Sequence, residues 1–127
     1  MKFQPDRLDG VNTITRHDSG SVQVNADKYD GSLLVPSRGE VQRWPVSDFA
    51  ALTAEHFEQL LSLEPELVIF GSGAKLRFVK PALLRPLIER RIGVETMDTG
   101  AACRTYNVLA SEGRAVVAAL LLEAETS

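Results

Sequence analysis

The second half of this sequence interleaves three apolar runs with helical stretches, and that alternation limits its possible folds more than any other feature. The runs are Leu67–Phe70, Val94–Met97 and Ala115–Leu122. Leu67–Phe70 is continuous rather than alternating, as a strand buried on both faces requires, Val94–Met97 reads as a second buried strand, and Ala115–Leu122 is the most apolar run of the sequence. From Ser47 the period is helical: Thr53 is placed to cap Ala54–Leu63, Glu55 suits the positive end, and Phe57, Leu60 and Leu61 share a stripe. Pro65 stops that helix. Pro81–Ile92 predicts a second helix, with Leu83, Leu84, Leu87 and Ile88 on its apolar side and Pro86 set to kink it or delay its start. A third, Ala101–Ser111, opens from the Asp98-Thr99-Gly100 turn and is ended by Gly113. Helix and strand alternate throughout, which favours parallel strands joined by right-handed crossovers.

The first half has a period of two. After an irregular lead-in over residues 1–10, Val11–His17, Ser21–Ala26 and Lys28–Pro36 read as short strands, with turns at Asp18-Ser19-Gly20 and Asp30-Gly31. Glu40–Trp44 adds one more, ended by Pro45. Trp44 stands at the seam between the halves and is expected to pack it. The prediction is an α/β three-layer β/β/α sandwich over a single domain, 1–127: an N-terminal antiparallel meander packed on a small central parallel sheet, with helices on its other face.

Composition narrows the function more by exclusion than by indication. A net charge of −3 gives no general attraction to nucleic acid or to anionic membrane, so no nucleic-acid partner is expected. The charge is unevenly placed: seven of the 14 basic residues lie between Lys75 and Arg104, so that stretch is either a solvated face or a local anion site. Cys103 is the only cysteine, which rules out an internal disulfide or a cysteine-based zinc site and suits a reducing compartment. His17 and His56 stand in unrelated segments, so no metal is expected. No signal peptide or membrane-spanning run is evident, and a cytoplasmic location without membrane insertion is the expectation.

Chemistry, if present, concentrates at two turns. Gly71-Ser72-Gly73 follows one apolar run and Asp98-Thr99-Gly100 follows the next, so parallel neighbouring strands would open both at the carboxyl edge where α/β sheets bind ligands. Gly71 and Gly73 would let backbone N–H groups approach an anion, the helix near Thr99 would offer its positive end, and Lys75 and Arg104 would add charge. A dinucleotide fingerprint is absent because Leu76 holds the third glycine's place, and Gly73-Ala74-Lys75-Leu76 lacks the Walker spacing. No cofactor is therefore expected. Cys103, early in its helix beside Arg104, is placed to favour a thiolate, though buried cysteine is the commoner outcome. Tyr106 and Asn107 are further candidates to read a ligand or partner, though their spacing suits packing and hydrogen bonding on that helix better, and Asp98 suits a cap better than a catalyst. No residue is assigned as catalytic.

The segments LVIFGSG (Leu67–Gly73) and IGVETMDTGAACRTYNVL (Ile92–Leu109), with Tyr29–Leu34 and Arg43–Val46, resemble the family known as domain of unknown function 498. That family takes in a mitochondrial complex I assembly factor and an adipogenesis-associated animal protein. The resemblance spans nearly the whole chain; it implies a three-layer β/β/α fold and carries over no catalytic residue. Two function classes follow. The first is a non-enzymatic binding or assembly module with a protein partner, using the edge formed by the two turns and the basic stretch after Lys75. The second is an enzyme or sensor for a small anionic ligand, with Cys103 at the helix N-terminus.

Overall fold

The computed structural model describes residues 10–123. Two sheets carry the chain. The first is an antiparallel meander of β1 (Ile14–His17), β2 (Ser21–Val24) and β3 (Asp27–Asp30). The second has five strands in the order β5-β4-β8-β6-β7, formed by β4 (Leu33–Pro36), β5 (Gln42–Arg43), β6 (Leu67–Gly71), β7 (Gly93–Met97) and β8 (Val116–Leu120). Its β8, β6 and β7 are parallel, whereas β4 runs antiparallel to β8 and β5 to β4. The expected Lys28–Pro36 strand breaks at Gly31, whose φ of 91° turns the chain from the first sheet into the second. Apart from Gly10, the expected lead-in lies outside the described residues.

Two of the helices start at their expected caps, whereas the expected Pro81–Ile92 helix is α-helical over only four residues. Thr53 precedes α1 (Ala54–Glu58), its N–H donating to His56 Nδ1 at 3.0 Å. A 3-10 segment, Gln59–Leu63, follows. Pro81–Leu84 is likewise 3-10, and α2 (Arg85–Ile88) starts only there, with Pro86 in its first turn where a missing N–H costs nothing. Asp98 caps α3 (Thr99–Ser111).

The result is the expected three-layer sandwich, but its central sheet is mixed rather than parallel, and one helix does not lie on the face where the helices were expected. Residues Leu33, Ile69, Ala118 and Leu120 face a core shared with Val22, Val24, Cys103 and Tyr106, so α3 lies beside the meander. Leu34, Val68, Phe70 and Val117 face the other core, where α1 and α2 supply Phe57 and Leu87. Strand order explains the split. From β6 to β7 the chain steps outward, and from β7 to β8 it steps back across β6. With both crossovers right-handed, the two connections must lie on opposite faces. Trp44 packs the seam as expected: it is buried, edge-to-face on Phe57 and Phe70, and its Nε1 donates to the His56 carbonyl at 2.9 Å.

Candidate functional site at the carboxyl edge of the central sheet

The parallel register Gly71↔Met97 and Gly71↔Leu120 brings the ends of β6, β7 and β8 to one level. Backbone and side-chain hydrogen bonds then lace the three together. Gly73 N–H donates to Thr99 Oγ1 at 2.9 Å, Thr99 N–H returns to the Gly73 carbonyl at 2.9 Å, and Thr99 Oγ1 donates to the Leu121 carbonyl at 2.9 Å. Gly71 lies where no side chain fits, since a Cβ there would stand 2.9 Å from Thr99 Cα. Gly73 needs its glycine for its backbone, whose φ is 103°, and a Cβ there would also displace the Arg77 guanidinium, 2.6 Å away. Ser72 is buried and holds the next loop, donating to the Lys75 carbonyl at 2.6 Å and accepting from Arg77 N–H at 2.9 Å.

Above this lattice lies a cleft of about 680 Å³, lined by Gly73 and Ala74, by Asp98, Thr99 and Gly100, and by Leu121–Glu123. The two turns thus do open into one space. Its remaining wall is the β1–β2 hairpin tip, His17-Asp18-Ser19, which sequence reasoning took only as a turn beside an isolated histidine. A methyl group on Gly100 would stand 3.4 Å from Asp98 Oδ1, 3.5 Å from His17 Cε1 and 3.6 Å from Arg104 Nη1, so these three groups converge there. A second cleft of about 610 Å³ meets the first at Leu122 and Glu123, and its walls are Asp30-Gly31-Ser32 and Arg43-Trp44-Pro45-Val46.

The charged groups of these clefts are largely occupied. Asp18 accepts from Gly20 N–H, Ser21 N–H and Ser21 Oγ, and the Gly20 amide foremost holds its carboxyl below the usual carboxylate range. Partial burial alone would raise Glu123. The Phe49 amide at 2.9 Å and the Arg77 guanidinium at 2.6 Å outweigh it and keep this carboxyl low. Asp98 Oδ1 accepts from Ala101 N–H at 2.9 Å, so the positive end of α3 already holds a carboxylate from its own chain.

Of the other residues singled out in the sequence, Lys75 is exposed on the loop beside the first cleft, whereas three on α3 turn inward. Cys103 is 1% exposed in the meander-side core, and burial pushes its thiol up to about 12. The helix end and Arg104, which on sequence grounds favour the thiolate, are outweighed by that desolvation. Tyr106 is fully buried and its hydroxyl donates to the Asn12 carbonyl at 2.8 Å, with the Pro36 carbonyl at 3.2 Å. Asn107 pairs with Ile14 as a neighbouring strand would, accepting from its N–H at 2.9 Å and donating to its carbonyl at 2.8 Å. Among the described residues no group of three His, Cys, Asp or Glu side chains is placed to hold a metal ion, and no helix is long and apolar enough to cross a membrane.

A fold of this kind is shared with solved proteins. A crystal structure from Bordetella parapertussis superposes with a TM-score of 0.85 at 38% identity, covering 92% of this chain and 100% of that one. A solution structure of a Bordetella pertussis protein described as a Mth938-like domain gives a TM-score of 0.84 at 31% identity, covering 99% and 95%. The chain belongs to the family described as protein of unknown function DUF498/DUF598, whose model matches residues 14–121. It is also 36% identical over 110 residues to bovine (Bos taurus) NADH dehydrogenase [ubiquinone] 1 alpha subcomplex assembly factor 3, covering 85% of this chain and 59% of that one. It therefore spans little more than half the length of that relative.

Proposed function

We propose that this protein is a non-enzymatic module of assembly type that docks a protein partner on the carboxyl edge of its central sheet. The observation that carries this reading is the convergence of the Gly71–Gly73 turn, the Asp98–Gly100 turn and the Asp30–Ser32 and Arg43–Val46 segments on two clefts that meet at Leu122–Glu123. The groups beneath are bonded to one another, so they hold a shaped surface rather than stand ready to move protons. The similarity to a protein described as a complex I assembly factor supports the same class. A cytosolic location belongs to this reading, since a fold with one unpaired cysteine needs no oxidising compartment.

The test is quantitative affinity capture with wild type beside a Ser19→Arg, Ala74→Arg double variant. Both positions are exposed on the rim of the first cleft, so the variant should keep its thermal midpoint. A partner held by wild type and lost by the variant is expected. Identical capture by both would overturn the assignment of the surface, and turnover of a metabolite abolished by Asp98→Asn, which preserves the cap, would overturn the non-enzymatic class.

A further inference from the structure

The loop after the glycine turn has a feature that the docking edge does not use. Between Lys75 and Lys80 the chain forms neither helix nor strand, and its burial alternates from residue to residue. Arg77 and Val79 turn inward: Arg77 bonds the Ser72 carbonyl at 2.7 Å and Glu123 at 2.6 Å and lies over the Phe49 ring at 4.6 Å, while Val79 is buried in the α1–α2 core. Leu76 and Phe78 turn outward and are 54% and 72% exposed. With Ile88 they are three of the four large apolar side chains exposed among the described residues, and all three fall within residues 75–91. That segment also holds six of the 14 basic residues and one of the 17 acidic ones, a formal charge of +5 in a chain of net charge −3, of which Arg77 is matched by Glu123. Lys75, Lys80, Arg85, Arg90 and Arg91 are all exposed.

We propose that this strap is a membrane-surface contact, which seats Leu76 and Phe78 in the interface of a bilayer bearing anionic phospholipid while the flanking lysines meet its headgroups. The size of the feature selects a bilayer over a protein. A specific protein interface needs roughly 800 Å² from each partner, and two side chains on one strap fall far short of that. Neither lines the clefts on either side, one reaching Gly73–Ala74 and the other Ala82–Arg85. Peripheral lipid binding, by contrast, needs only a few apolar groups acting together with cations. The strap's hold on Ser72 and Glu123 fixes the two tips outward before contact, so little ordering entropy is lost on binding. Nor does the acidic remainder of the chain forbid the approach, because at physiological ionic strength a charge is screened within about 8 Å.

The experiment is co-sedimentation of the whole protein with phosphatidylcholine vesicles containing or lacking phosphatidylglycerol, at low and high salt. Binding is expected with phosphatidylglycerol only and should weaken as salt rises. Leu76→Ser with Phe78→Ser, and separately Lys75→Glu with Lys80→Glu, should each lower the partition coefficient about tenfold or more. All four positions are exposed, so both variants should melt with wild type. The proposal is overturned if wild type does not sediment with phosphatidylglycerol vesicles. It is equally overturned if either variant binds them as wild type does, or if Phe78 governs binding to a purified protein while vesicles are left unbound.

Discussion

On one face of the central sheet Phe57, Phe70 and Trp44 meet edge to face at centroid distances of 5.6–6.0 Å, whereas on the other the one fully buried ring among the described residues is Tyr106, with its hydroxyl bonded to backbone carbonyls. The α1–α2 face is held by burial and ring contact. The α3 face is held by groups of fixed reach: Tyr106 to Asn12 and Pro36, Asn107 to Ile14, Thr99 to Gly73 and Leu121. Burial is non-directional and tolerates exchange among apolar residues of similar volume. A hydrogen bond between segments more than 90 residues apart demands one side chain of one length. Thr99, Tyr106 and Asn107 are in this sense held by the fold of this chain.

The largest effect should come from the apolar face. Phe70→Ala removes a fully buried ring that touches both Trp44 and Phe57, and it should cost about 3–5 kcal/mol in urea unfolding. Tyr106→Phe keeps the ring and deletes only the hydroxyl, leaving the Asn12 carbonyl without that donor, and should cost about 1–2 kcal/mol. The order of these two losses is what the contrast between the faces requires. If Tyr106→Phe cost as much as Phe70→Ala, hydrogen bonding rather than burial would dominate the stability of both.

Much of this architecture was legible because it rests on local chemistry. The apolar runs mark β6 and β8; the third run marks β7, which was expected to be buried but lies at the sheet edge with no residue buried; Thr53 and Asp98 stand at the helix starts; and Pro86 delays α2 as a residue without an N–H must. What escaped was set by distant partners. The side on which α3 packs depends on β8 lying inside β6, and no residue of α3 encodes that. The break at Gly31 became a change of sheet only because β4 pairs with β8, some 80 positions further on. The candidate site divides in the same way. Gly73, Asp98, Thr99 and Gly100 were found from turn chemistry, whereas His17–Ser19 join them through the fold of the meander and Glu123 through a contact with Arg77 across 46 residues. Periodicity placed Cys103 near a helix start without showing which way that turn faced the core.

The smallest prediction sharpens the contrast by using alkali. Cys103 and Tyr106 lie in the α3-side core, and burial raises both groups above their ordinary values, Cys103 from 9.0 to about 12. Above pH 9 the unfolded chain loses the thiol proton that the native state retains, so the unfolded state binds fewer protons and stability falls as pH rises. At pH 10 the Cys103 contribution should be about 1 kcal/mol. It should continue to grow towards pH 12, with Tyr106 adding to it once the unfolded phenol ionises. Comparing wild type with Cys103→Ala at pH 7 and pH 10 isolates the thiol, because the change with pH, rather than the absolute stability, carries the signal. The variant should lose less stability than wild type over that interval. Equal losses would mean that the thiol ionises as freely in the native protein as in the unfolded chain, and would return Cys103 to the accessible surface at the start of α3.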